Sequence, residues 1–178
     1  MNKISACIIS FNEEDKLEGC LKSLQGVVDE FVIVDSLSTD RTREIAARYT
    51  DKIYEQKFLG HIEQKNLAVS KASHDWILSL DCDERLSDEL RQSILAVKHA
   101  AQDADAYRMA RRTFYVYRWL NHCWYPDYKV RLFNRGTARW GGINPHDRVE
   151  VQGENIVTLK GDILHLSLIH ISEPTRPY

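Results

Sequence analysis

The sequence predicts an α/β fold, a mostly parallel, doubly wound sheet with flanking helices in a single domain. Short apolar runs ending in polar loops recur through the first half, and the segments between them repeat apolar residues at helical spacing. The run Trp76-Ile77-Leu78-Ser79-Leu80 also stops abruptly at Asp81, Asp83 and Glu84. A buried strand that ends in acid points to the crevice at the carboxyl ends of an open α/β sheet, where such sheets bind ligands.

The elements follow in order. Ile4 to Phe11 reads as a first buried strand. Asn12 then reads as the cap of a helix with Glu13, Glu14 and Asp15 in its first turn, Leu17, Leu21 and Leu24 as its inward stripe, and Gly26 as its stop. A second strand, Glu30 to Val34, ends at Asp35. The polar loop Ser36 to Asp40 leads into a helix that turns Ile45, Ala46 and Tyr49 inward. A short strand around Lys52 to Tyr54, a helix from about His61 to Lys71 and the Trp76 strand continue the alternation, and Ser87 caps a helix with the stripe Leu90, Ile94, Val97 and Ala101.

With 178 residues, 43% hydrophobic and 28% charged, the chain is large enough for one ordinary globular core. Nothing approaches the roughly 18 uninterrupted apolar residues of a membrane-spanning helix, and the N-terminus lacks the layout of a secretory signal, so a cytoplasmic location is expected. Cys7, Cys20, Cys82 and Cys123 show no paired ligand spacing and read as reduced thiols.

In a parallel sheet the polar strand ends share one edge. Asp81 and Asp83, two residues apart, can aim carboxylates at one hard cation such as Mg2+ or Mn2+; the plainer alternative is a solvated turn. Asp35, at the end of a buried strand, is placed to hold ribose hydroxyls or a base edge, whereas Asp40 reads as a turn-shaping cap. Between Arg108 and Arg139 the character changes. Eight basic residues face only Asp127, interleaved with Phe114, Tyr115, Tyr117, Trp119, Trp124, Tyr125, Tyr128 and Phe133. Such a segment suits sugar rings or an anionic membrane surface; the alternative is that its aromatics are core and its arginines balance the acidic half. A net charge of −2 and the lack of any nucleic-acid motif argue against nucleic acid.

Ile8-Ile9-Ser10-Phe11-Asn12-Glu13-Glu14, Val34 to Asp40, Gln64-Lys65-Asn66 and Leu80-Asp81-Cys82-Asp83, in this order, resemble the GT-A (Rossmann-like) inverting glycosyltransferases of family 2. No G-x-G-x-x-G is present, which argues against a dinucleotide-dependent dehydrogenase. The resemblance implies a UDP-sugar donor held at the strand ends by Ser10, Asn12, Glu13, Asp35 and Ser38. It further implies Asp81 near the ribose or diphosphate, Asp83 on the metal, and Lys65 and Asn66 along the nucleotide. Lys65 reads equally as a solvated helix residue.

Trp124 to Gly136, Trp140-Gly141-Gly142 and Pro145-His146-Asp147 are similar to the branch of that family that includes bacterial glucosyltransferases of the lipopolysaccharide inner core. This implies a glycan or lipid-linked saccharide acceptor and peripheral contact with an anionic membrane. The branch pattern ends in His-Glu, and here it is His146-Asp147. An inverting transferase needs one general base, for which Asp147 is the first candidate and Asp127 the second. His165 resembles the histidine that completes the metal site in many GT-A enzymes, with a core histidine as the alternative. Residues 166–178 read as translated adaptor sequence, leaving residues 1–165 as a C-terminally truncated domain. Two further readings are an inactive nucleotide-binding domain and an aspartate-nucleophile phosphohydrolase, whose signature strand also ends in D-x-D.

Overall fold

A computed structural model describes residues 2–100, 104–115, 118–119, 125–144 and 146–166. Ala101, Tyr117, Cys123, Trp124, Pro145 and residues 167–178 of the sequence reading lie outside them. Strands β1 (Ile4–Ser10), β2 (Glu30–Asp35), β3 (Ile53–Glu55) and β4 (Trp76–Asp81) are mutually parallel in the order β3-β2-β1-β4. The sheet continues through β8 (Asp127–Asn134), β6 (Ala106–Tyr115), β11 (Ile156–His165) and β5 (Glu84–Leu86), with β7 (Arg118–Trp119) paired to β6. β8 runs antiparallel to both β4 and β6, and β5 runs antiparallel to β11, while β6 and β11 are parallel. A separate hairpin pairs β9 (Ala138–Ile143) with β10 (His146–Val151).

Both faces of the sheet are covered, as strand alternation requires. Ile4, Ala6 and Ile8 face one apolar core, where they meet Leu17, Cys20, Leu21 and Leu24 of α1 (Leu17–Leu24), Ile45 and Ala46 of α2 (Thr42–Ala46), and Leu90 and Ile94 of α4 (Asp88–His99). Cys7, Val32, Val34 and Ile77 face the other, against Ala68 and Val69 of α3 (His61–Lys71) and Phe133 and Trp140. The three leucines of α1 are fully buried. At about 1.5 to 3 kcal/mol for each fully buried side chain, that stripe anchors the helix far more firmly than its eight residues could through propensity.

One helix boundary differs from expectation. α1 begins at Leu17, not after Asn12, and Lys16 holds the cap position without a side-chain cap. Asn12 adopts a left-handed φ of 52°, and the amides of Asn12, Glu13 and Glu14 donate to the side chains of Ser38, Thr42 and Asp40 instead. Ser87 does cap α4, its Oγ accepting from the Leu90 amide at 3.3 Å. Cys7, Cys20 and Cys82 are free and buried.

β11 carries a register shift between Thr158 and Asp162, and Gly161 sits in it with a φ of 91°. A Cβ there would lie 2.2 Å from the backbone nitrogen of Leu90, so β11 lies directly against the first turn of α4. Gly161→Ala should therefore destabilise the fold by roughly 3 kcal/mol, combining unfavourable φ with a backbone clash. A urea midpoint within error of the parent would refute that assignment.

Candidate active site

Register puts the polar strand ends side by side: Glu55 faces Asp35, Asp35 faces Ser10, and Ile9 faces Asp81. Asp35 is completely buried and accepts hydrogen bonds from Ser10 Oγ (2.9 Å), the Ser38 amide (2.8 Å) and Ser38 Oγ (2.6 Å). Its carboxylate closes the loop after β2 and ties it to β1. Ser38 Oγ in turn accepts from the Asn12 amide (2.8 Å), and Asn12 Oδ1 accepts from the Thr39 amide (2.9 Å). Asp40 shapes the turn into α2 by accepting from the Thr42 amide at 2.9 Å. Asp35→Ala would strand several buried donors, so it should cost roughly 2 to 3 kcal/mol of stability in urea unfolding, and Asp35→Asn less.

The acids after β4 meet two buried cations. Asp81 pairs with Lys65 Nζ at 3.0 Å and with Arg131 at 3.2 Å. Burial works against the Asp81 charge, but Arg131 and Lys65 outweigh it and hold the carboxyl well below the usual carboxylate range. Glu84 is fully buried and accepts from Arg131 (3.0 Å) and from the Asp81 amide (3.0 Å). Burial, with the neighbouring Asp81 charge, pushes its carboxyl up. For Arg131, burial opposes the charge, yet Glu84 and Asp81 hold the guanidinium firmly protonated. Trp140 is the floor, with Lys65 Nζ 4.3 Å and the Arg131 guanidinium 5.3 Å from its ring centre.

Lys65 is therefore not a solvated helix residue. It is 4% exposed and bridges Asp81 to Asp147, whose Oδ2 lies 2.7 Å from Nζ. Asn66, on the next position of α3, donates to the Trp140 carbonyl (2.9 Å) and accepts from its amide (3.1 Å). The structure thus uses Asn66 to clamp β9 onto α3, because both ends of its amide match that strand's backbone.

Asp83 and His165 come together although 82 positions separate them. β11 runs antiparallel to β5 with His165 opposite Glu84, one residue beyond Asp83, so His165 Nε2 lies 3.2 Å from Asp83 Oδ2. The Leu166 amide donates to the Asp83 carbonyl at 2.8 Å, so backbone engagement extends one residue past the expected boundary at 165.

Two cavities open on this assembly. The first, of about 750 Å³, is lined by Ser10, Glu13, Lys65, Asp81, Asp83, Asp147 and His165 among others. The second, of about 540 Å³, shares Lys65, Asp81, Arg111 and Asp147 with it and adds Lys129, Arg131, Trp140 and Arg148. Asn12, Asp35, Ser38 and Asn66 line neither, since their polar atoms join the loops and strands to one another. Asp127, the second base candidate, also lines neither; Arg111 (2.8 Å) and Lys129 (3.0 Å) hold its carboxylate.

A family model described as glycosyl transferase family 2 matches residues 5–151. The chain belongs to glycosyl transferase family 2. Among curated family relatives, it is 34% identical over 161 residues to an uncharacterized glycosyltransferase of Rickettsia typhi, covering 84% of this chain and 53% of that protein. It is 30% identical over 177 residues to the lipopolysaccharide core biosynthesis glycosyltransferase LpsC of Rhizobium meliloti, covering 96% of this chain and 65% of that one. The chain thus spans about half the length of the curated relatives it matches. Its fold is similar to that of glucosyl-3-phosphoglycerate synthase from Mycobacterium tuberculosis, solved with Mn2+ and UDP-glucose. The TM-score is 0.50 at 20% identity, over 65% of this chain and 44% of that one.

Membership of glycosyl transferase family 2 displaces the phosphohydrolase reading of D-x-D. Part of the cationic, aromatic segment follows the alternative given for it, core aromatics and arginines that balance the acidic half. Arg131 and Phe133 are buried, as is Trp140, so part of the cationic, aromatic segment is interior, and Arg131 is the counterion of Asp81 and Glu84. The signal was a lone arginine inside Val130-Arg131-Leu132-Phe133, where an apolar strand admits a charge only if an acid awaits it. Among the described residues, no helix is long and apolar enough to cross a membrane.

Proposed function

We propose that residues 1–165 form the donor-binding and base-bearing part of an inverting glycosyltransferase that moves a sugar, glucose by its branch, from a UDP-sugar to a glycan hydroxyl. The observation that carries this is Asp147 in the wall between the cavities, with the Asp83 and His165 pair in the first. The LpsC relative, named for lipopolysaccharide core biosynthesis, supports a saccharide acceptor of that kind and, with it, work at a membrane surface.

The UDP-sugar occupies the first cavity, beside Ser10, Glu13 and the strand ends. Asp83 and His165 would hold Mg2+ or Mn2+. A carboxylate oxygen and an imidazole nitrogen 3.2 Å apart fit a mixed nitrogen and oxygen shell, which suits Mn2+ better than the oxygen-seeking Mg2+. Among the described residues no third such side chain converges there, so diphosphate oxygens and water would complete the shell. When bound, the cation offsets the charge that builds on the departing diphosphate.

The acceptor hydroxyl approaches from the second cavity. Its oxygen bonds to the anomeric carbon while the bond from that carbon to the diphosphate oxygen breaks on the opposite face. The electron pair leaves with UDP, and the hydroxyl proton passes to Asp147. Lys65 orients Asp147 through Oδ2 and holds Asp81 in the same grip. Calorimetry with UDP, with and without Mn2+, tests the donor half: tighter binding in Mn2+ is expected, and no UDP binding in either condition would overturn the proposal.

A further inference from the structure

Resting on the transferase reading above, we infer that the second cavity selects an acceptor sugar bearing an acidic group, a carboxylate or a phosphate monoester, and that Lys129 and Arg148 receive it. Only at the wall of Lys65, Asp81, Arg111 and Asp147 do the two cavities meet, so a hydroxyl reaching Asp147 from the side opposite the donor comes out of the second. That cavity presents Lys129, Arg131, Arg148 and His146 beside Tyr128, with Trp140 buried beneath Lys65 and Arg131. Tyr128 is 48% exposed; the Arg108 guanidinium lies 5.2 Å from its ring centre on one face, which leaves the other face for a sugar.

The positive charge here is incompletely matched. Lys65, Arg111, Lys129, Arg131 and Arg148 line the cavity with only Asp81 and Asp147 among its lining acids; Arg111 and Lys129 share Asp127, Glu84 stands 3.9 Å from Arg111, and Glu150 stands 3.8 Å from Arg148. Two buried donors in the lining, Arg131 Nε and Trp140 Nε1, also lack a hydrogen-bond partner among the described residues. A neutral sugar brings donors and acceptors in equal measure. An acidic one brings an excess of acceptors and negative charge, which is what this lining lacks. Lys129 and Arg148 keep exposed head groups able to turn toward it, whereas Arg131 and Lys65 are buried and committed to Asp81.

The test titrates a hexose, its uronate and its 6-phosphate into the chain, following chemical shifts of Trp140 and His146, with UDP titrated separately into the same sample. The acidic sugars should bind about tenfold more tightly than the neutral one, the order of one charge-assisted hydrogen bond, and added salt should shrink the difference. Lys129→Gln with Arg148→Gln should abolish the preference and leave UDP affinity unchanged. Preference for the uronate alone or the phosphate alone identifies the group. Equal binding of neutral and acidic sugars, or a preference that survives the double substitution, overturns the inference. Loss of UDP binding in the parent chain overturns the transferase reading instead, because UDP reports on the first cavity.

Discussion

Asp147→Asn should lower acceptor-dependent transfer by about two to four orders of magnitude, the usual share of a general base, while UDP affinity stays at the parent value. Asparagine retains a carbonyl oxygen for Lys65 Nζ, now 2.7 Å from Asp147 Oδ2, so the scaffold of the wall survives and only proton affinity is lost. The contrasting variant is Asp127→Asn, which loosens Arg111 and Lys129 but lies outside both cavities. Its transfer rate should fall much less. Acceptor-dependent UDP release, measured on both variants, decides the matter: a fully active Asp147→Asn beside a dead Asp127→Asn would move the base to Asp127.

Asp83→Ala should remove at least about a hundredfold from the transfer rate, roughly 3 kcal/mol of transition-state stabilisation, and with it the dependence of UDP affinity on Mn2+. His165 remains in that variant but loses the carboxylate 3.2 Å away, so a cation would keep one protein ligand. Chelation of the parent protein should reproduce the defect. Undiminished transfer in excess EDTA would remove the cation from the mechanism and leave Asp83 and His165 as an ordinary hydrogen-bonded pair.

The parallel half of the fold was legible because each of its strands is an apolar run ending in a polar residue. Ser10, Asp35 and Asp81 mark those ends in the sequence as in the sheet. Asp83 and His165 as metal ligands, and Asp147 as base, rested on motif resemblance, since no local pattern says that β11 will lie beside β5. The antiparallel β8 was not legible as structure. Its charges disguised a central strand, because Arg131 looks like a surface residue until Asp81 and Glu84 are seen to require it. The Asn12 helix cap failed for a related reason: a cap motif competes locally with the loop after β2, and a sequence does not disclose which partner is nearer. Lys65 illustrates the same limit, for helical periodicity assigns it to a face and says nothing of the two carboxylates waiting there.

The sheet places β4 and β5 four positions apart along its path although only Cys82 and Asp83 separate them in sequence, so it must curl back on itself. The seam of that curl is the pairing of β11 with β5, and Asp83 and His165 sit on its two sides. Cation binding at this point, as proposed, would then be coupled to folding. A cation shared by the two residues would favour only chains in which β11 has docked against β5, by mass action on the closed form. During synthesis Asp81 would find Lys65 already made, Glu84 would wait for its close partner Arg131, and the seam would wait longer still.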